Sequence, residues 1–170
     1  RVAARWHDTD IPEPWNEPYV TVDPFGPHAI AVVFVTVVAV LGSVLLHYES
    51  FTLLSRRLGR MRLPFRRSRI LLLMLALILL HVIEIWVFGF IYYVLAIGND
   101  FGSSVSDAGG LLDLVYYSAT VYTTLGFGDL VPRGAIRFLT GTEAITGFLL
   151  ISWSASFTFL EMQRFWKPDD

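Results

Sequence analysis

The chain has 170 residues, of which 54% are hydrophobic, and its formal net charge is −2. So apolar a composition is unusual for a soluble domain and indicates a membrane protein, while the small net charge gives no indication of a nucleic-acid partner. The sequence contains no cysteine, which excludes disulfides, cysteine-based zinc sites and thiol catalysis.

Three apolar segments are each long enough to cross a bilayer, which takes about 20 residues. We predict a first transmembrane helix at residues 29–54, an outer helix at 70–97 and an inner helix at 135–162. Because a backbone in lipid must satisfy its own hydrogen bonds, these segments are expected to be helical. The predicted fold is therefore an all-α membrane protein with three transmembrane helices.

The charges between these segments predict an orientation. The linker 55–69 holds seven of the thirteen basic residues, so the positive-inside rule places it in the cytoplasm. The Pro-rich tail 1–28 is then extracellular or periplasmic, the C-terminus is cytoplasmic, and the expected location is the cell membrane. An arginine run can also bind nucleic acid, but its place between two spans favours membrane topology, with anionic lipid as a further partner.

A shorter apolar stretch lies between the second and third long segments. Residues 111–123 form at most a helix of roughly 18 Å, which is too short to cross the membrane. Since the segments on both sides of it are expected to face outside here, we predict a re-entrant helix. The chain returns to the surface through TTLGFGDLVP, which begins at Thr123.

The return segment is broken by glycines at every second position. Irregular backbone at membrane depth is tolerated only where it is buried in protein or lines a water-filled path. Gly126 and Gly128 permit positive φ, so residues can alternate between left- and right-handed conformations and point successive carbonyls the same way. Rings of such carbonyls, built from several copies, replace the hydration shell of a cation.

The sequence TTLGFGD resembles the selectivity-filter signature of potassium channels, Thr-x-Gly-(Tyr/Phe)-Gly-Asp, and the preceding YYSATVY resembles the family's pore helix. The resemblance covers about 50 residues, from Leu111 to about Leu160, and gives the region 70–170 the layout of a potassium-channel pore module. It implies a homotetramer, because each chain has one filter segment. The first transmembrane helix and the tail lie outside it.

The resemblance also implies roles for individual residues. Backbone carbonyls of the filter, residues 124–128, would bind K⁺, with the Thr124 hydroxyl completing the innermost site. The ion-binding residues are thus expected to be Thr124, Leu125, Gly126, Phe127 and Gly128. The residues expected to support them are Thr123, Asp129, Tyr117 and Thr120, with Glu143 as a further candidate. No organic cofactor is expected.

Three positions depart from the commoner family pattern. Phe127 replaces a tyrosine whose hydroxyl usually braces the filter, so this brace must be absent or rebuilt. Leu125 replaces a valine, and Thr120 stands where some members carry a buried glutamate. The main-chain ligands are unaffected, but the rigidity of the filter and its degree of selectivity are open.

The inner helix contains candidates for a hinge and a gate. Gly147 matches the place of the family's hinge glycine, and Gly141 is a second candidate. Close helix packing explains a mid-helix glycine equally well. One helical face carries apolar side chains that we predict to line the cavity and its lower constriction, where they can gate by dewetting or instead contact lipid: Phe148, Ile151, Ala155 and Phe159.

His81, Glu84 and Glu143 lie inside predicted spans, where ionisable residues are costly and usually face protein or water. His81 and Glu84, at i and i+3, are either a proton-sensitive pair or partners in ordinary interhelical hydrogen bonds. Glu143 either replaces the missing acid near Thr120 or is hydrogen-bonded in the same ordinary way. Two ligands without cysteine are too few for a metal site.

These observations predict a potassium-selective channel that conducts K⁺ passively through a carbonyl-lined filter. A non-selective cation channel with a loosened filter is one alternative. A non-conducting membrane subunit that keeps the channel fold is the other. No nucleophile, base and orienting group come together at any spacing, so an enzyme is not predicted.

Overall fold

A computed structural model describes residues 26–60, 66–97, 104–105 and 108–166. Four helices follow one another along the chain: α1 (Pro27–Arg60), α2 (Arg66–Ile97), α3 (Leu111–Tyr122) and α4 (Ile136–Trp166). Two short strands, β1 (Ser104–Val105) and β2 (Pro132–Arg133), pair antiparallel and join the segment before α3 to the segment after the filter. Most of the predicted tail, and the centre of the arginine-rich linker, lie outside the described residues.

Three of the helices are long and apolar enough to cross a membrane, over residues 27–57, 68–96 and 136–163. The prediction of an all-α membrane protein is therefore confirmed. The helices are longer than the apolar segments from which they were predicted, and α1 and α2 both continue into the linker. Arginine is a good helix former, so loss of hydrophobicity ends a membrane span without ending the helix.

The short helix α3 packs between α2 and α4, and α1 packs along α4 and α2. The main core lies around α3 and contains Phe88, Tyr92, Tyr122 and Leu139. A second core, between α1 and α2, contains Phe51, Leu73, Leu77 and Leu80, with Phe157 of α4 packed against it. The first helix is thus part of the same packed unit as the helices that carry the filter.

One stripe of α1 is buried against the other helices, with members three or four residues apart as one helical face requires. Its residues are Ala29, Val32, Thr36, Ala39, Ser43, His47 and Phe51. Most of the other large apolar side chains of α1 are exposed in the single chain, as expected for a surface that meets lipid or further subunits.

Candidate ion-conducting segment

The end of α3 leads directly into the filter segment, and main-chain hydrogen bonds fix the junction. Thr123 caps the helix in the right-handed conformation; its N–H donates to the carbonyl of Ala119, and the Thr124 N–H donates to that of Val121. The Gly126 N–H donates to the Thr120 carbonyl over 3.1 Å, which folds the start of the filter back onto the last turn of the helix. Thr120 therefore supports the filter through its carbonyl, while its hydroxyl donates to Tyr117 within the helix.

The backbone of the filter alternates in handedness. The φ angle is 60° at Thr124, 55° at Gly126 and 80° at Gly128, whereas Leu125 and Phe127 between them have no positive φ. The alternation predicted from the glycine spacing is therefore confirmed. Thr124 adopts positive φ without being glycine, which is uncommon for a β-branched residue and was not foreseen.

Every residue from 123 to 129 is exposed in the single chain. The apolar side chains of Leu125 and Phe127 are 63% and 66% exposed. At membrane depth a polar backbone needs protein or water around it. A single chain leaves one side of this segment uncovered.

A family model described as an ion channel matches residues 80–164, which is half of the chain. The chain belongs to this ion channel family. Membership indicates passive movement of ions across a membrane rather than enzymatic turnover. The matched range runs from within α2 to within α4, so α1 lies outside it. No curated protein and no solved structure matches the channel.

A side-chain hydrogen bond joins α3 to Asp129, the residue directly after the segment 124–128. The Tyr116 hydroxyl donates a hydrogen bond of 2.8 Å to Asp129, and this bond raises the pKa of Tyr116. Tyr117 was predicted as a filter support, and its hydroxyl lies 3.0 Å from that of Thr140 on α4; its support of the filter stays a prediction. Successive residues of a helix point about 100° apart, so only the packing of α3 decides which tyrosine reaches the filter.

Glu143 is completely buried between α4, α2 and α3. It accepts hydrogen bonds from the hydroxyls of Tyr92 and Ser118, over 2.6 and 2.5 Å. The Ser118 hydroxyl also lies 3.0 Å from the carbonyl of Ile85. Glu143 thus joins α4 to α2 and to the middle of α3 by interhelical hydrogen bonds, which is the ordinary role considered for it.

The helices α4 and α3 lie very close together at Gly147. A Cβ atom added there would lie 2.2 Å from the Tyr122 carbonyl oxygen, and 2.8 Å from the Tyr122 ring. Close packing therefore accounts for this glycine, and a hinge role stays a prediction. At Gly141 an added Cβ meets nothing within 4 Å. The four candidate gate residues are exposed in the single chain, on the side of α4 away from the other helices: Phe148, Ile151, Ala155 and Phe159.

His81 and Glu84 belong to a larger buried cluster. His47 of α1 lies 2.9 Å from one oxygen of Glu84, and His81 lies 3.1 Å from the other, both through Nδ1. The Nε2 atoms of the two histidines lie 3.2 and 3.0 Å from the hydroxyl of Ser154 on α4. Tyr122, at the end of the pore helix, donates a hydrogen bond of 2.5 Å to Glu84.

Three members of this cluster were not predicted from the sequence: His47, Tyr122 and Ser154. His47 carried a signal, since it is an ionisable residue inside the predicted span 29–54. The ligand-capable atoms of His47, His81 and Glu84 lie within 4.8 Å of one another, as in a three-ligand metal site. However, each of these atoms already has a hydrogen-bond partner at 2.9–3.2 Å. The contacts are those of a hydrogen-bonded network.

Proposed function

We propose that this channel is a potassium-selective pore formed by a homotetramer. The observation that carries the proposal is the alternation of positive φ at Thr124, Gly126 and Gly128. Alternating handedness turns successive carbonyls toward one side of the strand. Rings of these carbonyls, contributed by several copies around an axis, offer K⁺ the oxygen ligands that it loses with its hydration shell.

Two further observations support an assembly. The filter segment is exposed along its whole length in one chain, and so is the gate face of α4. An axis along this side of the chain would cover both at once. The end of α3 would then aim the negative end of its helix dipole at the space beneath the filter, where it favours cations.

The orientation and the lipid contacts are part of the same proposal. With the arginine-rich linker in the cytoplasm, the filter opens to the outside of the cell membrane. A groove of about 410 Å³ between α1 and α2 is lined by apolar residues, among them Phe51, Leu77 and Leu80, and by Arg57 near the linker. Its chemistry fits the acyl chain and anionic headgroup of a phospholipid.

Substitution of Gly126 tests the role of the backbone. Within the chain, an added Cβ at Gly126 meets nothing within 4 Å, so L-alanine changes the preferred φ without a local clash. L-alanine disfavours φ of 55°, whereas D-alanine, as its mirror image, favours it. We expect semisynthetic protein with L-alanine to lose potassium selectivity and protein with D-alanine to keep it.

The measurement is the ratio of K⁺ to Na⁺ flux into liposomes for the three proteins, with the oligomeric state determined by mass measurement in each case. Retained selectivity with L-alanine contradicts the carbonyl-ring account. Flux of both ions through the unsubstituted protein favours the non-selective channel. A folded tetramer without any flux favours the non-conducting subunit.

A further inference from the structure

The buried histidine cluster contains a closed cycle of four residues. Glu84 contacts both histidines through their Nδ1 atoms, and Ser154 contacts both through their Nε2 atoms. The residues come from three helices, α1, α2 and α4. His47 and Glu84 are completely buried, and His81 is 18% exposed. Water therefore has little access to complete any contact that the protein leaves unsatisfied.

The number of protons in this cycle can be counted. Each of its four contacts needs one hydrogen between two electronegative atoms. A carboxylate brings none, each neutral histidine brings one, and serine brings one, which gives three. With three hydrogens, one of the four contacts has none, and two lone pairs face each other there. One additional proton, carried by either histidine, completes all four contacts.

The net charge of the cycle also indicates one additional proton. With one additional proton, the negative charge of Glu84 is balanced and the cluster is neutral. Without that proton, the membrane interior holds an uncompensated carboxylate, and with a second one it holds an uncompensated cation. Both are costly away from water. Hydrogen bonding and charge therefore agree on a single additional proton.

The cycle is attached to the pore helix by Tyr122. Its hydroxyl donates to Glu84 and lies 3.0 Å from Nδ1 of His81. Tyr122 is the last helical residue before the cap at Thr123, and its carbonyl is the group against which Gly147 packs. A change in the proton count of the cycle acts directly on the bond that holds this end of the pore helix.

The titratable groups facing the cluster come from three helices: His47 from α1, His81 and Glu84 from α2, and Tyr122 from α3. From α4 the cluster receives the Ser154 hydroxyl and the Trp153 ring, which lies 5.4 Å from that of His47. Glu143 of α4 is a further carboxyl nearby, which accepts a hydrogen bond from Ser118 of α3.

We propose that His47 and His81 share one proton with Glu84, and that this neutral cycle positions the end of the pore helix for conduction. Glu84 is thus a positioning residue that acts through Tyr122. The role in conduction rests on the proposed channel function, whereas the proton count does not. Conduction is expected to fall when pH either removes the shared proton or adds a second one.

Glu84→Gln is an unusually informative variant. An amide offers an N–H donor on one side and a carbonyl acceptor on the other. The glutamine brings one hydrogen into the cycle, and with one from each neutral histidine and one from Ser154 all four contacts have a hydrogen. The variant therefore keeps the cycle closed and neutral without the additional proton. Glu84→Ala, in contrast, opens the cycle and removes the acceptor of Tyr122.

The first test is the protonation state of the histidines, read from their side-chain ¹⁵N chemical shifts in the purified full chain with EDTA present. His7→Gln and His28→Gln in the background leave only the cluster histidines in the spectrum. We expect one imidazolium per pair near neutral pH, loss of this signal in Glu84→Gln, and its retention in the matched buried control Glu161→Gln. Two neutral histidines in the otherwise unsubstituted chain would overturn the inference.

The second test is the pH profile of K⁺ flux into liposomes. We expect a profile with a maximum for the unsubstituted channel and for Glu161→Gln. We expect a flat profile for Glu84→Gln and loss of flux for Glu84→Ala. The same profile with glutamate and glutamine at position 84 would overturn the positioning role. Absence of flux from the unsubstituted channel would count against the proposed function, while the ¹⁵N spectrum still decides the proton count.

Discussion

Gly147→Ala tests whether the contact between the inner helix and the pore helix is as tight as the structure shows. The added Cβ lies 2.2 Å from the Tyr122 carbonyl oxygen, and ordinary contact begins at 3.4 Å, so the two helices must separate locally by about 1.2 Å. The oxygen belongs to the main chain, and no side-chain rotation relieves the clash.

The size of the effect follows from two opposing contributions. Overpacking a tightly packed site costs about 1–3 kcal/mol, and replacing a mid-helix glycine by alanine gains about 1 kcal/mol. Because the added Cβ meets a main-chain oxygen, which cannot rotate away, we place the cost of overpacking in the upper half of its range. The expected net loss in free energy of unfolding is about 1–2 kcal/mol.

The assay is unfolding in mixed micelles with increasing denaturing detergent, with Gly42→Ala on α1 as the matched control. An added Cβ at Gly42 meets nothing within 4 Å, so only the gain in helix propensity applies. The two variants should therefore change stability in opposite directions. Equal or higher stability of Gly147→Ala would refute the packing argument and leave the hinge as the reason for this glycine.

Three further predictions concern the supports of the filter and the lipid groove. Tyr116→Phe removes the hydrogen bond to Asp129 and should lower the selectivity for K⁺ over Na⁺ in flux measurements; an unchanged selectivity would contradict the role of this bond. Because the bond raises the pKa of Tyr116, it should persist until the pH rises above the ordinary phenol value of about 10. Tyr92→Phe removes a donor from the buried Glu143 and should cost about 1–3 kcal/mol in the same unfolding assay, whereas a neutral result would mean that water or another group replaces the hydroxyl. Arg57→Gln should reduce the amount of anionic phospholipid that copurifies with the channel, and equal retention would exclude the groove as its site.

Local features of this fold could be predicted from the sequence because they depend on few residues. Hydrophobic length is enough to predict a membrane span, and glycine at alternate positions is enough to predict a backbone of alternating handedness. A short apolar stretch between two spans is enough to predict a helix too short to cross, which is α3 with its 12 residues. Each of these arguments needs only the residues of one segment.

The parts that could not be predicted depend on how the helices are rotated against one another. Tyr116 and Tyr117 are neighbours in sequence, and only the packing of α3 sends the first to Asp129 and the second to Thr140. The histidine cycle needs the register of α1 against α2 and α4, which lies outside the family resemblance. His47 and Glu84 could each be identified as ionisable residues within a span, but their contact with each other could not be predicted.

The central claim is that the carbonyls of this filter select potassium. The most direct test is the reversal potential of the purified channel in a planar bilayer with K⁺ on one side and Na⁺ on the other. The account predicts a reversal potential displaced far toward the potassium equilibrium value. A reversal potential near zero, carried by a real current, would contradict it and make Leu125 and Phe127 the first positions to restore to valine and tyrosine.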